Sequence, residues 1–194
     1  MENNMINLEE IEERNMHDFI EATQGVFSMQ FVEKLRAMGF FIAPAAKEHH
    51  GNMIGGLYYH SKQVAMELAN ITCRMNLEWQ RPQSPVIIGI LHDLCKVTDY
   101  DIVFDDSQRG YHIECNTRKL WTGHGEASLI IVQQLFMENA KMFLTTEEAA
   151  CIRYHMGAFV DQKEWSYYTR AVKYYSNVLW THVADMIASQ VKGI

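Results

Sequence analysis

The stretch Pro85-Val-Ile-Ile-Gly-Ile-Leu-His-Asp-Leu-Cys-Lys96 decides the fold, because it is an apolar helical run that ends in ionisable side chains. A run of this kind is normally buried, and a buried imidazole or carboxylate costs free energy unless something compensates it. His92 and Asp93 lie side by side, and Lys96 follows about one helical turn later. Imidazoles and carboxylates are ligands that intermediate divalent metals prefer. The stretch therefore predicts half of a metal site, with a lysine cation just beyond it and the remaining ligands elsewhere in the chain.

Length and composition predict one soluble globular domain spanning residues 1–194. Of these residues 48% are hydrophobic and 21% are charged, which is a balance typical of a folded core rather than of disorder. The formal net charge is −7. This charge disfavours long nucleic acid as a partner, because such binding depends on clustered Lys and Arg. A small anionic substrate stays compatible with it wherever a metal or a lysine reverses the local field.

The cysteines and the first residues indicate a cytoplasmic protein. The four cysteines, at positions 73, 95, 115 and 151, form no Cys-x-x-Cys pair and no zinc-ribbon spacing. Residues 1–16 are acidic and lack the apolar core of a signal peptide. No apolar run approaches the length of a membrane span. We therefore expect reduced thiols and no membrane contact.

Long stretches without proline predict an all-α bundle. Helices are predicted over 5–24, over 28–38 with Ser28 as N-cap, over about 53–76, from Pro85 with Ser84 as N-cap, over 123–138, from Thr145 or Thr146 to near Gly157, and over 168–191. Residues 98–122 are the least helical part and predict a short β-hairpin or flap around 101–115. The aromatic segment 165–170 is predicted to be a loop.

Five of these segments carry an ionisable group on the face that should be buried, and consecutive groups are separated by 30 to 32 residues. They are His60, His92 with Asp93, His124, His155 and Asp185. A single histidine on a helix face is more often an ordinary core or surface residue. Five or six such groups buried without a metal would leave too much desolvation uncompensated. Since facing helices of a bundle bring side chains to one point, the set predicts a metal site.

The order of these residues resembles the HD-domain metal-dependent phosphohydrolase superfamily over about residues 49–190. The most specific segments are Leu-His-Asp-Leu-Cys-Lys at 91–96 and His-His-Gly-Asn-Met-Ile-Gly-Gly-Leu-Tyr-Tyr-His-Ser at 49–61. The second segment is similar to the opening of the HD domain of bacterial 3′-to-5′ exoribonucleases of HD type. Those enzymes carry an N-terminal oligonucleotide-binding barrel, for which this chain has no room. The usual His-Asp-Ile-Gly-Lys is His-Asp-Leu-Cys-Lys here, so Cys95 stands where glycine is usual.

The resemblance implies roles for most of these residues. A first metal would be held by His60, His92, Asp93 and Asp185. His124 and His155 would bind a second metal or the substrate phosphate, and Lys96 would contact the phosphate and act with Asp93 in catalysis. His49 and His50 would contact substrate at the rim. Separately, the aromatic segment 165–170 is a candidate pocket wall with Arg170 near the phosphate, although aromatic residues at this spacing more often pack a helix onto its core.

This ligand set suits one or two ions of Mn(II), Fe(II), Co(II), Ni(II) or Zn(II). Such an ion lowers the pKa of a bound water for attack on phosphorus. We therefore expect hydrolysis of a phosphomonoester or phosphodiester, with a nucleotide or short oligonucleotide as the substrate. Two alternatives stay open: an HD-type di-iron oxygenase and a non-catalytic nucleotide-sensing module, although the presence of every ligand argues against the latter. The segment Phe-Phe-Ile at 40–42 fits either a homodimer surface or the core.

Overall fold

The computed structural model describes residues 5–48, 51–139 and 142–194. The helices are α1 (Leu8–Thr23), α2 (Met29–Ala37), α3 (Gly56–Met75), α4 (Ser84–Leu91), α5 (Lys96–Asp99), α6 (His124–Asn139), α7 (Thr146–Tyr154), α8 (Trp165–Tyr174) and α9 (Asn177–Met186). The strands β1 (Tyr100–Phe104) and β2 (Tyr111–Cys115) pair antiparallel as a hairpin. The predicted all-α fold with a short hairpin around 101–115 is confirmed.

Two predicted N-caps lie where the sequence placed them. The Ser28 side chain accepts a hydrogen bond from the backbone N–H of Phe31, which caps α2. Thr145 and Glu148 form a capping box at the start of α7. Ser84 is the exception, because it is the first residue of α4 and its hydroxyl donates to the buried Glu148 carboxylate at 2.7 Å. These caps fix where the helices that carry functional residues begin.

Two predicted helices are shorter than expected. The helix from Pro85 ends at Leu91, so His92 is its C-cap and Asp93 lies in the turn that leads to α5. The helix predicted over 168–191 is instead α8, then α9 after a break, then a π-helix over Ile187–Val191. The aromatic segment 165–170 is correspondingly the first part of α8 and not a loop.

Helix α3 packs along α4 and α9 in the core. Gly89 of α4 makes the α3–α4 contact close: a Cβ atom there would lie 2.3 Å from the Cα of Ala65. Phe40 and Phe41 are fully buried and pack with the ring of Tyr58. They belong to the core, so a homodimer stays a prediction with no surface assigned to it. Within the described ranges, no helix combines the length and the apolar character that crossing a bilayer requires.

Candidate metal centre

Four elements bring five of the six predicted ligands to one place. They are His60 from α3, His92 and Asp93 at the end of α4, His155 at the C-cap of α7, and Asp185 from α9. The three imidazoles are fully buried, and Asp93 is 3% exposed. Helices far apart in sequence thus converge their ionisable side chains inside the bundle.

The donor atoms lie at distances that suit a shared ion. His60 Nε2 is 3.3 Å from His92 Nε2 and 3.2 Å from Asp185 Oδ1. Asp93 Oδ2 is 3.5 Å from His92 Nε2, and Asp93 Oδ1 is 3.3 Å from His155 Nε2. Ligands that bind one ion with bonds of about 2.0–2.2 Å lie roughly 3–3.5 Å apart. These residues could therefore hold a divalent ion after only small side-chain movements.

Each of the three imidazoles is held through its Nδ1 atom by a backbone carbonyl. The acceptors, at 2.8 to 2.9 Å, are Ile194 for His60, Gly89 for His92 and Ile152 for His155. When Nδ1–H donates to a carbonyl, the Nε2 atom of the neutral ring carries the lone pair. The same pattern orients metal-binding histidines in proteins. All three Nε2 atoms face the carboxylates of the cluster.

Two buried atoms of the cluster lack a hydrogen-bond partner in the described part of the chain: Asp93 Oδ1 and His155 Nε2. They lie 3.3 Å apart and pair by charge, but their geometry does not meet that of a good hydrogen bond. A buried polar atom without a partner costs free energy and is rare in folded proteins. An ion bound here would give both atoms the partner that they lack, so the residues fit a metal.

The protonation states of His92, Asp93 and Asp185 are those that a metal binds. Burial would lower the pKa of His155, but its contact with Asp93 raises it. Burial lowers the pKa of His92 to about 4, which outweighs the opposing effect of Asp93. Burial would raise the pKa of Asp185, but the His60 hydrogen bond and the nearby His92 ring hold it at about 2. Burial likewise opposes ionisation of Asp93, and Lys96 and His92 hold its pKa well below the usual range. At neutral pH the His92 ring is therefore neutral and both carboxylates are ionised.

Lys96 is an ion-pair partner of the cluster. Its Nζ atom lies 2.7 Å from Asp93 Oδ2, and its side chain is 11% exposed. Burial would lower the pKa of Lys96, but the Asp93 carboxylate raises it, so the ammonium keeps its charge. The lysine also lines a cavity of about 470 Å³ beside the cluster. The full lining is Asp93, Lys96, His124, Met156, Phe159, His182, Asp185, Met186, Ser189 and Gln190.

His182 is a residue of this cavity to which the sequence assigned no role. Its Nδ1 atom donates to the backbone carbonyl of His155 at 2.8 Å. Its ring packs on Gly157, where a Cβ atom would lie 2.5 Å from the ring. The signal in the sequence was its position on the same helix as Asp185, three residues earlier. That spacing puts both side chains on one face.

The sixth predicted ligand, His124, lies beside the cluster rather than within it. It is the first residue of α6, and its Nδ1 atom is 3.7 Å from both Cys95 Sγ and Asp99 Oδ2. The side chain is 38% exposed. Burial lowers its pKa, and the nearby Asp93 carboxylate opposes that effect. His124 therefore reaches the cavity as a wall residue.

The other predicted substrate contacts lie elsewhere. Arg170 is exposed on α8 with its guanidinium 5.0 Å from the centre of the Tyr167 ring, and it is not among the residues that line the cavity. His49 and His50 lie outside the described residues. The hairpin also contributes nothing to the lining; instead the Tyr111 hydroxyl accepts a hydrogen bond from the backbone N–H of Ile54.

Comparisons with family models, with curated proteins and with solved structures each gave no match for this chain. Three buried histidines and two aspartates thus form overlapping groups that could hold a metal ion, and the two aspartates, Asp93 and Asp185, line the adjacent cavity.

Proposed function

We propose that this protein is a metal-dependent phosphohydrolase of the HD-domain type, which acts on a nucleotide or a related small phosphoester. The observation that carries the proposal is the convergence of three carbonyl-tethered imidazoles and two carboxylates at a cavity wall that also holds Lys96. Mixed imidazole and carboxylate ligands suit Mn(II), Fe(II), Co(II), Ni(II) or Zn(II) better than Mg(II). The reaction is expected in the cytoplasm.

Some residues of the site would hold a metal ion, and others would bind the phosphate of the substrate. A divalent ion at this site supplies Lewis acidity and lowers the pKa of a bound water towards neutrality. The ion pair with Lys96 fixes the orientation of the Asp93 carboxylate at the cavity wall. The Lys96 ammonium places positive charge at the cavity wall, and the His124 ring can add an N–H donor beside it. Such groups stabilise the charge that develops on phosphoryl oxygens during transfer.

The size of the cavity supports a small substrate. Its volume of about 470 Å³ falls within the range of about 300–1000 Å³ that is usual for small-molecule sites. A second cavity of about 300 Å³ shares His124, Met156 and Phe159 with it. The two together offer a phosphate position near Lys96 and a neighbouring space for the rest of the ligand.

The charge of the second cavity favours a substrate with one phosphoryl group. Its lining includes Glu126, Asp161 and Glu164 but only one arginine, Arg153. That arginine is already paired, with its Nη2 atom 2.6 Å from Glu164 and 3.7 Å from Glu126. Additional phosphates would meet net negative charge there. We expect nucleoside monophosphates, or other phosphoesters whose alcohol part is uncharged, to be preferred over triphosphates.

The test uses chelated protein reloaded with each of the five ions. p-Nitrophenyl phosphate, bis(p-nitrophenyl) phosphate and nucleoside mono-, di- and triphosphates serve as substrates. We expect metal-dependent hydrolysis that falls at least about 100-fold in Asp93→Asn. His112→Gln is the matched control, because this histidine is exposed on β2 and away from the cavity. Equal activity in Asp93→Asn and wild type, or no hydrolysis with any ion, would overturn the proposal.

A further inference from the structure

A second group of metal-binding residue types lies on the outer side of the candidate metal centre. It consists of Cys95, Asp99 and His124. Cys95 Sγ lies 3.7 Å from His124 Nδ1 and 3.9 Å from Asp99 Oδ2, and the remaining side of the triangle, from His124 Nδ1 to Asp99 Oδ2, is 3.7 Å. Neither Cys95 nor Asp99 is among the five residues of the candidate metal centre.

The backbone fixes this triangle from two sides. Cys95 and Asp99 are four residues apart across α5, so their side chains share one face. The backbone N–H of Cys95 donates to Ser128 Oγ at 3.2 Å. Because Ser128 lies one turn after His124 on α6, this bond holds the start of α5 against the face of α6 that carries the histidine.

We infer that Cys95, Asp99 and His124 form a second metal site, which binds a thiophilic divalent ion such as Zn(II) through one thiolate, one carboxylate and one imidazole. Tetrahedral zinc binds sulfur at about 2.3 Å, and nitrogen or oxygen at about 2.0–2.2 Å, which places the ligand atoms roughly 3.3–3.6 Å apart. The observed triangle exceeds these separations by only a few tenths of an ångström. The inference does not rest on the phosphohydrolase proposal, although His124 also lines the cavity of that proposal.

The present partners of the Asp99 carboxylate support the inference. Asp99 is buried, yet its oxygens lie 3.9 Å from Lys119 Nζ, 3.7 Å from His124 Nδ1 and 3.9 Å from Cys95 Sγ. The Cys95 thiol donates a weak hydrogen bond to Oδ2, and the two nitrogen atoms lie too far from the carboxylate for a good hydrogen bond. A buried carboxylate held this loosely gains more from a bound ion than from its protein neighbours. Lys119 is 48% exposed and can turn away into solvent.

The donor set determines which ion the site takes. A thiolate ligand favours Zn(II) or Co(II) over Mg(II) or Mn(II), whereas the histidine and aspartate cluster nearby has no sulfur. Binding releases the Cys95 thiol proton to solvent, so sulfur binds as the thiolate. The partial exposure of His124 leaves a fourth position open to water. Asp93 also lies close to Cys95 and His124, so the two sites adjoin each other.

Cobalt provides a direct measurement, because a thiolate bound to Co(II) gives a sulfur-to-metal charge-transfer band in the near ultraviolet. Chelated, fully reduced protein is titrated with Co(II) and followed by absorption. We expect the band in wild type and its loss in Cys95→Ser. Cys151→Ser is the matched control, because Cys151 is also buried but lies in α7 outside the triangle, and it should keep the band. Absence of the band at saturating Co(II), or its persistence in Cys95→Ser, would overturn the inference.

Two further variants keep the test decisive if Cys95→Ser does not fold. Asp99→Asn keeps the cysteine and removes a ligand, so the cobalt concentration at half-saturation of the band should rise by at least about tenfold. An unchanged titration there would contradict the site. Asp185→Asn removes a ligand of the first cluster only, and it should keep the band while losing hydrolysis. A band lost in Asp185→Asn would show that the sulfur signal belongs to the first cluster and would also overturn the inference.

Discussion

Replacing Gly89 by alanine tests whether the α3–α4 contact positions the metal ligands. The added Cβ would lie 2.3 Å from Ala65 Cα and 2.5 Å from Ala65 N, and both are backbone atoms. Ordinary contact begins at 3.4 Å, so the helices must separate by at least about 1.1 Å. His60 is part of α3 and would move with it, and His92, the C-cap of α4, would move with α4. The substitution therefore moves one imidazole away from the other.

We expect Gly89→Ala to lose both folding stability and function. Overpacking a core contact costs about 1–3 kcal/mol, and each kcal/mol lowers the melting temperature of a chain this size by roughly 2–4 °C. A displacement near 1 Å at a reacting centre costs about 100-fold in rate. We expect at least about tenfold weaker metal binding in the folded variant, measured by competition with a chromophoric chelator. Adding Ala65→Gly should not rescue the variant, because the clash involves backbone atoms.

The control for Gly89→Ala is Leu35→Ala in α2. Leu35 is fully buried, and its loss should cost about 2–5 kcal/mol. It lies away from the α3–α4 contact, so the folded variant should bind metal as wild type does. If Gly89→Ala bound metal and turned over substrate like wild type, or if Leu35→Ala weakened metal binding equally, the reasoning about helix separation would be refuted.

Three other predictions concern stability. A metal ion at a concentration of about 100 times its dissociation constant for the candidate metal centre should add about 2.7 kcal/mol to the free energy of unfolding. Calorimetry should then show a melting temperature roughly 5–11 °C above that of chelated protein, and Asp185→Asn should remove most of this difference. In chelated protein the pKa of His92 falls from 6.5 to about 4 on folding. As pH falls through this range the unfolded state binds the proton first, so the free energy of unfolding should decrease from pH 6.5 to pH 4. Denaturant titrations should show a smaller decrease in His92→Gln, and an equal decrease in both proteins would contradict the assignment. Thr145→Ala removes the capping box of α7 and should cost about 0.5–2 kcal/mol in thermal unfolding, whereas Thr98→Ala, at an exposed position, should cost less.

The apolar periodicity of the sequence identified most residues of the candidate metal centre, because an ionisable residue is conspicuous at a position where the periodicity predicts a buried apolar one. His60 lies on the same helical face as Leu57 and Val64, and the structure buries all three. The pattern correctly placed His124 at the start of its helix, but it could not show in which direction the ring points. The direction of such a residue depends on how the preceding chain enters the helix, and this is set by tertiary contacts.

The interruptions of helices were the part that the sequence did not show. Apolar periodicity continues through the break between α8 and α9, because both helices bury one face against the same core. The spacing of Cys95 and Asp99 is visible in the sequence, but a single cysteine four residues before an aspartate is not a recognisable metal-binding motif. A mixed site with one cysteine becomes apparent only when α5 and α6 are seen together.

The π-helix over Ile187–Val191 has a consequence for insertions and deletions. A π-turn contains one residue more than an α-turn, so the loss of one residue from this segment can be absorbed by a return to α-helical geometry, whereas one more inserted residue would rotate all that follows by about 100°. The Ile194 carbonyl would then leave His60 Nδ1, although the two residues are 134 positions apart. Among variants of this chain, a one-residue insertion here should therefore be tolerated less well than a one-residue deletion or than most substitutions in the same five positions.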